Sequence, residues 1–425
     1  MSRLITSNAS QLMLIPSSLG CLLSSDHPAR FFDEIVEQLD LSEIIKTVDT
    51  VQKRGRPAYD PVMMTKVIMY GYSIGIISTR ELENACLNGI DFRFLTGNRY
   101  PGYRSIARFK KQHLKAMAGL HEQVLLLAAT DGLIEMREVA TDGTKILANA
   151  SKHKAMSYEH MRKKEVELKT EIKALKKERY NGSRARQEEI KEDIHFKQNR
   201  LQHIRRWKKA LEERACTEGK EQPESSDQIN FTDSQSRIMK VEKHFEQAYN
   251  AQAAVDKRSQ IVLVALVTQD RNDKRLLETM LDQVAKTTGL LPDNSLFDAG
   301  YFSEEQITKV QEKYKSTQLL VPPNRLPHSE VPIATRGRIP KDISTADRMR
   351  RKLRTKTGRS IYGHRKTIVE PVFGQIKTAN LEFAQFSYRG LESVQDEWSL
   401  VCTIHNLLKI CRHRSVQNNR LLRVA

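Results

Sequence analysis

The feature that most limits what this chain can fold into lies between residues 152 and 214. That stretch carries 20 Lys or Arg, 11 Asp or Glu and no proline. A segment so charged cannot fill the interior of a sheet, because buried ions cost more than the sparse apolar area around them returns. Its apolar residues recur at helical intervals: Leu168, Ile172 and Leu175, then Ile190, Ile194, Leu201, Ile204 and Leu211. The spacing predicts two helices, turned back on each other at Asn181-Gly182-Ser183 into an antiparallel hairpin with one apolar seam. Its charged faces suit either a solvated surface or direct contact with a polyanion. Polar TEGKEQPESSDQ (217–228) then reads as a linker.

On either side of this excursion the pattern is that of an α/β domain. MREVATDGTKI (136–146) reads as a strand. Beyond the linker, AQAAVD (251–256) and QIVLVALVT (260–268) form adjacent strands joined by DKRS. An amphipathic helix over 273–287, a short buried strand NSLFDAG (294–300), a helix SEEQITKVQEKYK and a strand TQLLVPP follow. Next comes a basic loop containing RGR (336–338) and RMRRKLRTKTGR (348–359), then helices from about Gly363 to Lys377 and from about Leu391 to Arg412. With the charged hairpin set aside as an insertion, the order is strand, strand, strand, helix, strand, helix, strand, helix. That is the order of the ribonuclease H-like fold.

Ahead of the first strand the chain is helical. Phe32, Ile35, Val36, Leu39 and Leu41 place one helix over 29–46, and KRGRPAYDP (53–61) is a linker broken by Gly and Pro. PVMMTKVIMYGYSIG reads as a helix ending at glycines, STRELENACLNG as another capped by Ser78 or Thr79, and SIARFKKQHLKAMAGLHEQVLLLAATDG as a third. A tight turn between the first two fits a helix-turn-helix unit, and a plain helical bundle fits equally.

The chain is 425 residues long, enough for two or three domains, and its net charge of +18 favours a polyanionic partner, of which nucleic acid is the commonest. No run of residues matches the roughly 18 apolar ones that a membrane span needs. LMLIPSSLGCLL loosely imitates a lipoprotein signal, but Gln11, Pro16 and two serines interrupt it. Cys21, Cys86, Cys216, Cys402 and Cys411 form no C-x-x-C pair, which argues against a disulfide framework or zinc ribbon and fits a reducing cytoplasm.

In a sheet of that order three acids can meet: one on the first strand, one at the end of the fourth, one on a late helix. The residues at those places are Asp142, Asp298 in LFDAGYF and Glu370 in KTIVEPVFGQIK. Each has a plain alternative. Asp142 before Gly143 suits a turn, Asp298 suits a turn or the cap of the next helix, and Glu370 before Pro371 suits a helix start. Three converging carboxylates would repel unless cations bound them, and hard oxygen ligands select Mg²⁺ or Mn²⁺. Two such ions about 4 Å apart activate a water or 3′-hydroxyl and steady the leaving oxygen of a phosphodiester. Neither a serine or cysteine nucleophile motif nor a phosphate loop of the G-x-x-x-x-G-K type is present.

TDGTKILANASKHKAMSYEHM, YNAQAAVD, DAGYFSEE and YGHRKTIVEPVFGQIK together resemble the DDE transposases of bacterial insertion sequences, in the branch with a basic helical insertion after the first Asp. SSDHPARFFDEIV, GRPAYDPVMMTKVIMYGY and RGLESVQDEWSLVCTIHNLLKI extend the resemblance over nearly the whole chain. It implies cleavage of DNA at terminal inverted repeats, transfer of the freed 3′ ends to a target, two Mg²⁺ or Mn²⁺ ions on Asp142, Asp298 and Glu370, and two subunits on paired ends. It also implies a Tyr, Arg, Glu, Lys signature, which falls on Tyr362, Arg365, Glu370 and Lys377. Four residues separate Arg365 from Glu370 where the signature has three, and Lys366 meets that spacing instead. These cations, spaced to share a helix face with Glu370, would grip phosphates near the cut.

Other candidates carry less. Lys145 and Asn149 lie where they could touch DNA, or be merely exposed. Arg54 and Arg56 in RGRP suit an AT-rich minor groove or an interdomain linker. His153 could be a ligand, though a histidine among lysines is usually just exposed. Asp233 rivals the triad but suits a cap or turn, Trp207 suits base stacking or hairpin packing, and Trp398 suits a core. The expected division is 1–130 for the DNA-end-binding helices, 131–150 with 229–412 for the catalytic domain, 151–228 for the insertion and 413–425 for a tail. A stand-alone nuclease or resolvase of the same fold, or an inactive DNA-binding relic, are the rival functions.

Overall fold

The computed structural model describes residues 18–51, 57–181, 184–217, 219–324 and 343–424. Arg54, Arg56 and the RGR at 336–338 lie outside the described residues, as do two residues of the expected turn at 181–183. The chain forms two compact units: residues 1–133 with 375–382 and 400–425, and residues 134–374 with 383–399. Residues 375–382 and 400–412, assigned to the catalytic domain by the sequence reading, thus group with the first unit.

The first unit contains α1 (Pro28–Gln38), α2 (Ser42–Val51), α3 (Pro61–Ser73), α4 (Thr79–Asn88), α5 (Ile90–Leu95) and α6 (Tyr103–Thr130). One helix was expected over 29–46, but the chain breaks at Leu39-Asp40-Leu41, where the Asp40 carboxylate accepts the Ser42 N–H at 2.9 Å. Leu39 and Leu41 stay buried through the break, so apolar spacing alone conceals it. Asp60 caps α3, with Pro61 in the first turn. Every α3 residue from Met63 to Ser73 is buried, and the buried Lys66 ammonium pairs with Asp33 and Glu37 of α1, each at 2.6 Å. Such a pair fixes how α1 and α3 pack more than it adds stability. Five residues, among them Gly75 at φ +80°, join α3 to α4. The six residues of α5 escaped the sequence reading because so short a helix shows no period.

The second unit is a mixed sheet with helices. Its elements are β1 (Glu138–Leu147), β2 (Ala155–Ser157), α7 (Tyr158–Asn181), α8 (Arg184–Thr217), β3 (Gln228–Asn230), β4 (Arg237–Val241), β5 (His244–Asp256), β6 (Val262–Thr268), α9 (Leu276–Thr288), β7 (Asn294–Phe297), α10 (Glu304–Lys313), β8 (Gln318–Leu320), α11 (Thr345–Arg354), α12 (Lys356–Gly363) and α13 (Arg365–Gly374). A last helix, α14 (Leu391–Val424), begins here and ends in the first unit. Across the sheet the order is β6, β5, β1, β7, β8, antiparallel over the first three and parallel over the rest. β4 was not foreseen: it shares the β6 edge of β5, because Ala248 pairs with Leu147 on one side and Arg237 on the other. β2 and β3, also unforeseen, pair at the root of α7 and α8.

β5 is buried on both faces from Gln247 to Asp256, and its run of alanines allows it to be. α7 and α8 run antiparallel, since Glu165, Glu171 and Glu178 meet Arg205, Lys197 and Arg186 in reverse order. Leu168, Ile172, Ile190, Ile194, Leu201, Ile204 and Leu211 form one buried seam between them. The basic stretch 348–359 is not a loop: Ser344 and Thr355 cap α11 and α12, and Met349 and Leu353 are buried. The charge run hid that four-residue apolar spacing.

Gly143 of β1 lies directly against Gln252 of β5. A methyl group there would overlap the Gln252 amide and come within 2.9 Å of the Asn250 Oδ1. Gly143→Ala is therefore expected to cost about 1–3 kcal/mol, as overpacking does. Urea unfolding checks this through a lowered midpoint with an unchanged slope.

Candidate active site

Two acids face each other because of a register. β1 and β7 are parallel neighbours with Thr141 opposite Phe297, so the next step sets Asp142 beside Asp298 at the point where β7 ends. Asp142 lies within β1, which continues to Leu147, and not in a turn. Asp298 ends β7 and opens a short 3-10 turn, in which its carbonyl accepts the Tyr301 N–H at 3.1 Å. Its carboxylate makes no capping bond, and Ser303 caps α10 instead.

The guanidinium of Arg365, the first residue of α13, stands between the two acids. It donates to Asp142 Oδ2 at 2.7 Å and lies 3.5 Å from Asp298 Oδ1, with only 7% of its side chain exposed. Burial raises the Asp142 carboxyl above the ordinary range, while Arg365 and the Gly143 N–H oppose the rise and the Asp298 charge adds to it. Tyr362 donates to the Phe297 carbonyl at 3.3 Å, and burial pushes its phenol up to about 12. Tyr362 and Arg365 thus reach this point from one chain segment. Lys366, next in sequence, is exposed.

α13 is held to the sheet at its first turn. Glu138 at the start of β1 takes His364 at 2.9 Å and Lys257 at 2.8 Å. Pro371 has no N–H for the Thr367 carbonyl four residues back, and the Gln260 amide supplies it at 3.1 Å. Ile368, Val369 and Val372 are buried, whereas Glu370 is exposed and forms no ion pair among the described residues. Lys377 sits in a π turn, Gln375–Ala379, that groups with the first unit.

A polar network that the sequence reading missed underlies β1. Asp273 accepts the Asn250 amide at 2.6 Å and the Gln252 amide at 2.8 Å, and Lys145 lies 3.9 Å away. The buried Tyr301 hydroxyl donates to Gln252 Oε1. Burial lowers the Lys145 ammonium, against the pull of Asp273, Asp142 and Asp270. The available signal was Asn250 and Gln252 themselves: amides two apart among the alanines of a buried strand need partners.

The remaining candidates are occupied structurally. Asp233 accepts the Tyr249 hydroxyl and the Gln235 and Gly390 N–H groups, and Asn149 donates to the Ser387 carbonyl at 2.7 Å. Trp207 stacks on Phe231, and the fully buried Trp398 donates to the Gln252 carbonyl at 2.9 Å. His153 is exposed in a 3-10 turn.

The donor chemistry at Asp142 and Asp298 fits a hard divalent cation: two carboxylates side by side, half-buried, their charge met by a single guanidinium. Glu370 is not gathered to them, and among the described residues no three His, Cys, Asp or Glu side chains are close enough to hold a metal ion.

Residues 17–112 match the family described as "Transposase domain (DUF772)", and residues 214–407 match "Transposase DDE domain". Asp298 and Glu370 fall within the second match, and Asp142 lies between the two. No curated protein and no solved structure shows significant similarity to the chain.

Arg365→Met leaves Asp142 and Asp298 without their shared counter-charge. Because Asp142 keeps some exposure to water, the expected loss is roughly 2–3 kcal/mol, below the 3–5 of a fully buried broken pair. Thermal melts should show the loss, and millimolar Mg²⁺ should restore more stability to this variant than to the parent.

Proposed function

The chain belongs to the DDE transposases, and from that premise we propose that Asp142, Asp298 and Glu370 are the carboxylates with which it cuts DNA at the ends of its element and joins them to a target. The observation that carries this reading is the placement of Asp142 beside Asp298 on adjacent parallel strands, with the helix bearing Glu370 fixed to the same sheet. The strand order, with its three antiparallel and two parallel members, supports a ribonuclease H-like core, and α7 with α8 its inserted basic hairpin.

The family generally uses divalent metals, and here Asp142 and Asp298 would hold them, with Glu370 completing the set. Two bound Mg²⁺ or Mn²⁺ ions would supply Lewis-acid activation of a water or 3′-hydroxyl and offset charge on the phosphodiester. Arg365 serves as the resident counter-ion of the two aspartates and, with Tyr362, lines the approach to them. Lys366, Lys377, Lys145, Arg54 and Arg56 contribute positive charge for phosphates. The N-terminal helices bind the terminal repeats, and two subunits act on paired ends in the cytoplasm of a bacterium.

Asp142→Ala, Asp298→Ala and Glu370→Ala should each lower metal-dependent cleavage of an oligonucleotide bearing the element end by about 10³-fold, the rate equivalent of roughly 4 kcal/mol. Binding of the same duplex should persist. Cleavage without joining would make the chain a nuclease, binding without cleavage a relic, and full activity in any variant would remove that residue from the set.

A further inference from the structure

We infer that one flank of α7, running from Arg162 to Tyr180, is a binding surface for duplex DNA, distinct from the acidic site on β1 and after β7. The partner class rests on the transposase reading; the surface itself rests on how charge is distributed around the helix.

Arg162, Val166, Lys169, Lys173, Lys176 and Tyr180 recur every three or four residues, with Lys177 beside Lys176, so they share one stripe. All seven are exposed, Val166 by 64% and Tyr180 by 90%. Between its ends the stripe carries no carboxylate. The carboxylates of this length of α7 lie elsewhere around the helix and are committed: Glu167 to Lys164 at 2.7 Å, Glu171 to Lys197 at 2.5 Å, Glu178 to Arg186 at 3.0 Å. Glu165 takes Lys169, Arg205 and Lys208 together, and those three hold its carboxyl at about 2, the Lys169 hydrogen bond first among the causes. Arg162, Lys173, Lys176 and Lys177 therefore have no ion pair among the described residues.

A helix face shaped only for solubility alternates its charges, because opposite signs three or four residues apart stabilise a helix and like signs destabilise it by a few tenths of a kcal/mol. α8 follows that rule at Lys191 with Glu188 and at Lys209 with Glu213. The α7 stripe breaks it, setting Lys173 against Lys176 and Lys177, and adds an exposed aromatic and an exposed valine that solubility does not call for. Eighteen residue steps make it roughly 27 Å long, more than twice the about 12 Å width of a major groove, so its cations can meet phosphates on both sides of one groove. The Tyr180 hydroxyl adds a donor of the type that bonds phosphate oxygens.

The test uses the full-length chain and a mixed-sequence duplex of about three helical turns, with anisotropy-derived affinity followed across a salt series. Replacing Arg162, Lys173, Lys176 and Lys177 together by Gln should lower the slope of log K against log salt by about 3 to 4, since each neutralised phosphate contributes roughly 0.9. A charge-preserving set, Arg162→Lys with Lys173→Arg, Lys176→Arg and Lys177→Arg, should keep the parent slope. An unchanged slope in the Gln variant, with its melting temperature intact, would overturn the proposal. So would an equal fall in both sets, or a changed sedimentation coefficient with unchanged DNA binding, which would assign the stripe to a second copy of the chain. Metal-dependent cleavage by the parent and by Asp142→Ala, run alongside, reports separately on the transposase reading.

Discussion

The acidic site depends on one interaction, the Arg365 guanidinium set between Asp142 and Asp298. The parallel register of β1 and β7 brings two carboxylates to the same level where β7 ends, and side by side in a half-buried place they repel. A cation has to answer them. Arg365 does so with a planar fork that can meet two acids at once, which a lysine could not match. The same carboxylates that a divalent ion would use are thereby held side by side and oriented, and α13 is brought to them with Glu370 on it.

What surrounds the pair is arranged to hold that geometry. Alanines let β5 lie buried on both faces, and Gly143 lets Gln252 cross closely beneath β1. Gln252 then joins Tyr301, at the end of the turn that Asp298 opens, to Asp273 and Asn250. Gln260 answers the carbonyl freed by Pro371, and Glu138 fastens His364 and Lys257. The bonds around Gln252 satisfy polar groups that burial would otherwise penalise, so there the site's shape and the fold's polar balance are one constraint.

Much of this was legible in the sequence, and the reasons for the gaps are physical. Element order alone set Asp142 and Asp298 on neighbouring strands, because parallel strands leave little choice of where they meet, whereas Glu370, read into the same set, lies exposed on α13 and apart from them. The choice between Arg365 and Lys366 was not legible: it turns on where α13 begins, and one residue of shift rotates a side chain by about 100°. Asp273 was missed because it comes from a loop brought to β5 by the sheet. α11 was read as loop because charges crowd Met349 and Leu353, and β4 because an edge hairpin needs no apolar run. The seam between α7 and α8 was plain, since its leucines and isoleucines recur at helical spacing through the charge.

The protein thus separates its two electrostatic tasks. Acids sit side by side on β1 and after β7, where a cation must balance them, and Arg162, Lys173, Lys176 and Lys177, which have no ion pair among the described residues, line a flank of α7. The central claim is that Asp142 and Asp298 form the metal seat. Anomalous diffraction from crystals soaked in Mn²⁺ tests it most directly. The account predicts a manganese peak within bonding distance of both carboxylates, with the Arg365 guanidinium moved away from one of them. A peak on other residues, or full Mn²⁺ occupancy elsewhere with the Arg365 pairing unchanged, would contradict it.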